Sequence, residues 1–249
     1  MVRALLVSAL VLFGLFIGVG VLTPKARGLA ATGGSQGAGV AEASAVGANT
    51  AAATQSAGGA GGDAALVDPT WATASAARTG IPYRALVGYA GAALALAREL
   101  PQCHVGWNTL AALGSIESAH GTHAGSTITA DGAASPAIYG PALDGSKYAA
   151  VSDTDGGALD GTANGDRAVG PLQFIPSTWM RWGADGNGDG VSDPQQIDDA
   201  SLAAGRYLCS CGDLSGAAGW RASVFAYNHV ESYVDAVAET ANRYAAAVG

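Results

Sequence analysis

Residues 108–121 read NTLAALGSIESAHG, with Leu110, Leu113 and Ile116 at helical spacings, an asparagine able to cap the start and a glycine to stop the run. Upstream, Pro82 to Leu100 reads PYRALVGYAGAALALAREL, with proline at the first helical position, Leu86, Tyr89, Ala93, Leu96 and Leu100 in helical register, and Pro101 to end it. Shorter helices are expected at Pro176 to Trp182, Asp199 to Cys209 and Trp220 to Tyr227. A longer one is expected at His229 to Ala247, where Val230, Tyr233, Val234 and Val237 form a core-facing stripe. No run alternates apolar and polar residues with period two, so the fold class is mainly α. Residues 124–168 form a long Gly/Asp/Ser-rich insertion with isolated Ile128, Ile138, Tyr139 and Leu143. An irregular stretch of that length inside a compact domain is usually functional or mobile.

The chain has 249 residues, and its first quarter is not built to pack. Ala4 to Leu22 is 19 residues without a charge, preceded by Arg3 and followed by Lys25 and Arg27. That is an export segment, residues 1–27, long enough to stay as an anchor across about 30 Å of hydrocarbon or to be cleaved as a signal peptide. Residues 28–66 are nearly all Ala, Gly, Ser, Thr and Gln, too poor in apolar area to offset their ordering entropy, and are expected to be a flexible spacer. The remainder, 67–249, suits one domain. The expected location is outside the cell or in its wall, with membrane contact only through the N-terminal segment.

Three of the 12 basic residues and none of the 20 acidic ones fall in the first 27 residues, so the rest carries a formal charge of −11. A nucleic-acid partner is excluded on that balance. The acidic residues gather at 153–166 and 185–199, which points to cation binding or solvation there. Cys103, Cys209 and Cys211 in an exported chain imply one disulfide and one thiol left over.

Glu117 has the most informative setting among the acidic residues. It follows Leu110 and Leu113 at i+7 and i+4, on the face they bury and in the last turn of their helix. Partial desolvation and the negative end of the helix dipole both disfavour the carboxylate, so its pKa should rise and the group should stay protonated near neutrality. A general acid for glycosidic cleavage needs that property.

Three motifs occur in order: Gly114-Ser115-Ile116-Glu117-Ser118-Ala119-His120-Gly121, then Ala168-Val169-Gly170-Pro171-Leu172-Gln173-Phe174-Ile175-Pro176-Ser177-Thr178-Trp179, then Phe225-Ala226-Tyr227-Asn228-His229. Together, over about residues 80–246, they resemble the lytic murein transglycosylase B family in the form common in high-GC Gram-positive bacteria. The resemblance implies a lysozyme-like, mainly helical domain with a groove for peptidoglycan glycan strands, acting as a monomer. It implies Glu117 as the sole catalytic acid/base and Gln173, Tyr227 and Asn228 as groove residues near the cleaved sugar. The implied reaction breaks the bond between N-acetylmuramic acid and N-acetylglucosamine and closes a 1,6-anhydro ring. It further supports pairing Cys103 with Cys209, both at helix borders, with Cys103 to Cys211 as the alternative.

Asp185-Gly186-Asn187-Gly188-Asp189-Gly190-Val191 opens like an EF-hand calcium loop, with oxygen ligands on alternate residues around a glycine turn. Gln196 stands where that loop normally ends in glutamate, and Asp198 or Asp199 would have to close a longer one. The family resemblance favours Asp199. The expected cofactor is therefore one structural Ca2+ held by Asp185, Asn187, Asp189, Asp199 and the Val191 carbonyl; the alternative is a metal-free acidic turn.

Glu117, His120 and His123 are spaced Glu-x-x-His-x-x-His, but Gly121 breaks the helix between the histidines, so solvated turn histidines are expected. His104 and His229 are expected in surface or capping roles, and Trp107, Trp179, Trp182 and Trp220 more as core than as sugar platforms. Two other functions stay open. A hydrolytic lysozyme would need a second carboxylate, with Asp131, Asp153 and Asp166 as candidates. A calcium-dependent wall-binding module would keep the fold without turnover.

Overall fold

The computed structural model describes residues 61–145 and 150–249. The expected export segment and all but the end of the expected spacer lie outside the described residues. Seven helices carry the described chain: α1 (Pro69–Thr79), α2 (Tyr83–Glu99), α3 (Trp107–Ser118), α4 (Pro176–Trp182), α5 (Ile197–Cys209), α6 (Ala217–Tyr227) and α7 (Glu231–Val248). Two short antiparallel strands, β1 (Thr127–Ile128) and β2 (Ala134–Ser135), sit at the start of the irregular insertion. The fold is mainly helical, as a lysozyme-like transglycosylase domain requires. Among the described residues no helix is long and apolar enough to cross a membrane.

α2 and α3 form the centre. Leu86, Tyr89, Leu96, Leu110 and Leu113 are buried to within a per cent of complete, against Ile197 and Leu208 of α5, Val224 of α6 and Val234 and Val237 of α7. Truncating any of these leucines to alanine should cost about 2 to 5 kcal/mol. The small residues of α2 let its neighbours come close, and α3 returns the fit at Gly114. A Cβ there would stand 2.0 Å from the Tyr89 hydroxyl. Cys103, just past α2, is joined to Cys209 at the end of α5, as expected, and Cys211 is free and exposed. A bridge between residues 106 apart contributes about 4 to 5 kcal/mol on the chain-entropy account.

Several boundaries differ from expectation. Gly106, not Asn108, caps α3; Asn108 is inside the helix, buried, with its amide donating to the Ala241 carbonyl at 3.2 Å. α1 was not anticipated, although Asp68 accepts from the Thr70 and Trp71 amides and Gly80 closes the helix in the left-handed conformation. The spacer was drawn too far. Asp63–Leu66 forms a 3-10 turn, and the Gly62 and Asp63 amides donate to the Asn187 and Gly186 carbonyls at 3.1 and 2.7 Å.

Candidate active site

α3 delivers Glu117 to a half-buried position at its last turn, one turn beyond the close contact of Gly114 with Tyr89. The Tyr233 hydroxyl of α7 donates to Glu117 Oε1 at 2.5 Å. Burial pushes the Glu117 carboxyl up to about 7, against the opposing pull of that hydrogen bond. Burial, with the Glu117 charge second, pushes the Tyr233 and Tyr227 phenols well above their usual range, so both stay protonated. Sequence reasoning placed Tyr233 in the core stripe and missed its polar end. A buried tyrosine hydroxyl that must find a partner was the available signal.

The turn after Glu117 is tied to a second loop. Ser118 Oγ donates to the Pro171 carbonyl at 2.6 Å and accepts from the Gly121 amide at 2.8 Å. Val169 and Phe174 exchange backbone hydrogen bonds of 2.8 and 3.0 Å and pinch residues 170–173 into a tight loop. Gly170, at φ 79°, touches this wall so closely that a Cβ would meet the Pro194 carbonyl at 1.8 Å. Gln173 is the residue with a side chain held at positive φ in this loop, 51°, and its amide donates to the Gly170 carbonyl at 2.9 Å. Such strain persists where surroundings over-determine it and clusters at functional sites.

The Tyr227 hydroxyl donates to the Leu172 carbonyl at 2.8 Å and its ring packs on Phe174, so α6 grips the same loop. Asn228 follows at the end of α6, buried, and its Oδ1 finds no hydrogen-bond partner within the protein. Glu117, the Gln173 loop and the Tyr227-Asn228 pair are therefore brought into one region. Gln173 and Tyr227 are themselves nearly fully buried, a wall rather than an open platform.

The acidic loop is wrapped around its own carboxylates. Asp185 accepts from the amides of Gly188, Asp189 and Gly190, at 2.7, 3.1 and 2.9 Å. Asn187 Oδ1 accepts from the Asp189 amide, and Asp189 from that of Val191. Asp199, buried at the start of α5, accepts from Gly186, Asn187 and Asp193 and draws the loop together. Burial, with Asp185 adding repulsion, pushes Asp199 up to about 6. Gln196 instead caps α5 by accepting from the Asp198 amide, and Asp198 pairs with Arg84 at 2.5 Å. These donors are all hard oxygens and suit calcium. Elsewhere, Asp153, Asp155 and Asp166 of the insertion bring carboxylate oxygens within 4.8 Å of one another.

The histidine expectation holds for exposed His123 and fails for His120. His120 is buried between the Tyr89 and Tyr244 hydroxyls, because residues 119 and 120 turn back under the helix instead of outward. His104 pairs with Asp213 on the surface and His229 is exposed. Trp107, Trp179 and Trp220 are core residues, while Trp182 is half-buried against Tyr207. Of the candidate second carboxylates, Asp131 is exposed and held below the usual carboxylate range chiefly by the Thr129 hydroxyl. Asp153 accepts from the Asp155 and Gly156 amides, and buried Asp166 is held by the Thr154 amide and hydroxyl.

A family model described as Transglycosylase SLT domain matches residues 89–224, from the Tyr89 contact in α2 to the middle of α6. No curated protein and no solved structure matches the chain.

Proposed function

The chain belongs to the transglycosylase SLT domain family and is a peptidoglycan-cleaving enzyme in the broad sense, and from that premise we propose a lytic reaction at Glu117 of the B-like kind. The observation that carries the reading is the half-buried Glu117 carboxyl, raised to about 7 and steadied by Tyr233. Glu117 gives its proton to the oxygen joining C1 of N-acetylmuramic acid to N-acetylglucosamine. The C1–O bond breaks, N-acetylglucosamine leaves with a hydroxyl, and positive charge develops on the muramic ring. The Glu117 carboxylate then takes the proton of that sugar's C6 hydroxyl as its oxygen closes onto C1. The acid is restored, and no water is consumed.

Hydrolysis needs a second carboxylate beside the bond. Asp131, Asp153 and Asp166 are each engaged elsewhere, which favours the single-carboxyl route. Gln173, Tyr227 and the unpartnered Asn228 Oδ1 form the wall against which the sugar would be held. One Ca2+ on Asp185, Asn187, Asp189, Asp199 and the Val191 carbonyl would offset the mutual repulsion of the loop carboxylates and stiffen this wall from behind, outside the reaction. Export by residues 1–27 and a spacer ending before Gly62 would bring the domain to the wall. The test is solubilisation of purified sacculi: Glu117→Gln, which keeps size but cannot deliver a proton, should lose at least about 100-fold in rate with an unchanged fold. Near-normal turnover by that variant would remove Glu117 from the reaction.

A further inference from the structure

Immediately after the Glu117-bearing turn the backbone does something costly. Ala119, His120 and Gly121 lie at φ 50°, 61° and 80°, three successive left-handed residues of which only the last is glycine. Residues with side chains avoid that region, and runs of them persist only where neighbours force them. Part of the force is local, from the Ala119 and His120 amides donating to the Ser115 and Gly114 carbonyls at 3.1 and 2.8 Å. Ser118 Oγ, accepting from the Gly121 amide, adds to it, and the His120 ring ties the turn to two other helices. Its Nδ1 is 3.3 Å from Tyr89 Oη of α2 and its Nε2 is 2.9 Å from Tyr244 Oη of α7. Tyr89 is fully buried and Tyr244 nearly so.

We propose that His120 is a positioning residue for the reaction at Glu117, its imidazole bridging Tyr89 and Tyr244 to lock the left-handed turn and so fix where the Glu117 carboxyl stands. This rests on the reading of Glu117 as the reacting acid. The same two helices also touch the acid's own turn. Tyr89 Oη lies against Gly114, three residues before Glu117, and Tyr233, which donates to Glu117, is eleven residues from Tyr244 on α7. Eleven residues are close to three whole turns, so α7 presents both hydroxyls along one face. Loosening His120 thus frees the carboxyl to slide along Tyr233 toward solvent. The groups around His120 are Tyr89 from α2 and Tyr244 and Arg243 from α7. Burial first and Arg243 second hold His120 down to about 4, so the ring is neutral at working pH. A neutral imidazole has one donor and one acceptor, which suits a bridge between two hydroxyls that can each play either part.

The test compares His120→Phe, His120→Asn and Tyr244→Phe with wild type, reading kcat, KM and the pH profile on soluble glycan strands, with circular dichroism for the folded fraction. Phe keeps the buried ring and loses both hydrogen bonds. Asn tolerates the left-handed backbone and can keep one. The expected result for His120→Phe is a kcat lower by about 10- to 100-fold with KM within about twofold. Its alkaline limb should fall by about one pH unit as Glu117 becomes more solvated. The limb reports Glu117 because the phenols facing it, Tyr233 from α7 and Tyr227 from α6, stay protonated. His120→Asn should recover part of the loss, and Tyr244→Phe should shift kcat and the limb in the same direction by less. A kcat loss matching the loss of folded protein, with the limb unmoved, overturns the proposal. If His120→Phe does not fold, Tyr244→Phe decides by the same criterion. Turnover by Glu117→Gln would instead fell the reading of Glu117, and this proposal with it.

Discussion

Two regions of this molecule hold a carboxyl group that burial raises above its ordinary pKa, and they surround it differently. At the end of α3, Glu117 is half-buried beside Tyr227 and Tyr233, and the Tyr233 hydroxyl donates to it. In the loop from Asp185 to Asp199, three backbone amides meet Asp185 and three meet Asp199, while Asp198 pairs with Arg84. Burial without enough donors leaves the proton as the best partner for Glu117, which is the state of a general acid. Amides without a counter-charge pre-shape the loop but leave its carboxylates repelling each other, which a cation can relieve. On the proposed reading, one region gives up a proton and the other gains an ion.

Changes that erase this contrast should have effects in the following order. The largest concerns the stability cost of the acid. Glu117 is raised from 4.5 to about 7 in the folded protein, so the native state holds this proton more tightly than the unfolded chain and stability is lost as pH rises through that window. Glu117→Gln removes the ionisation and should be more stable than wild type at pH 8 by about 3 kcal/mol, with the gain vanishing near pH 4. Denaturant melts at the two pH values read it, and equal stability at both would show that the carboxyl is not desolvated. Next, Gly114→Ala places a methyl group against the Tyr89 hydroxyl and should destabilise by about 2 kcal/mol. An unchanged melt would mean that the α2–α3 approach is looser than 2.0 Å implies.

Tyr233→Phe removes the hydrogen bond that pulls Glu117 down, so the alkaline limb of activity should move up by about one unit, or about 1.4 kcal/mol. A downward move would mean that Tyr233 chiefly shields the acid from water. The smallest effect belongs to the loop. Calcium a few times above its Kd should stabilise wild type by about 1 kcal/mol, and Asp185→Ala with Asp189→Ala should abolish that gain. Thermal unfolding with calcium against chelator decides, and an equal response of both proteins would leave the loop a metal-free turn.

The sequence was most legible where one helix face decides matters. α4 was read to the residue, and α2 to within one residue at each end. The half-buried setting of Glu117 was legible because Leu110 and Leu113 fix which face of the helix it shares. What escaped depends on partners distant in the chain. Asn108 looked like a cap because asparagine often is one, yet a carbonyl 133 residues away claims its amide. Tyr233 counted as apolar in a periodic stripe, which conceals its hydroxyl. His120 was expected in water because Gly121 ends the helix, while Tyr89 and Tyr244, which bury it, come from two other helices. The ordered turn at Asp63–Leu66 was hidden by its composition, since it is held mainly through backbone atoms that every residue has.

In the proposed mechanism one carboxyl group performs both halves of the reaction. The most direct measurement is mass analysis of the muropeptides that the wild-type enzyme releases from sacculi in water enriched in oxygen-18. A single-carboxyl lytic reaction gives 1,6-anhydro ends, lighter by one water than reducing ends and free of the heavy isotope. Reducing ends carrying oxygen-18 would show that water attacks the muramic carbon, and would contradict the account.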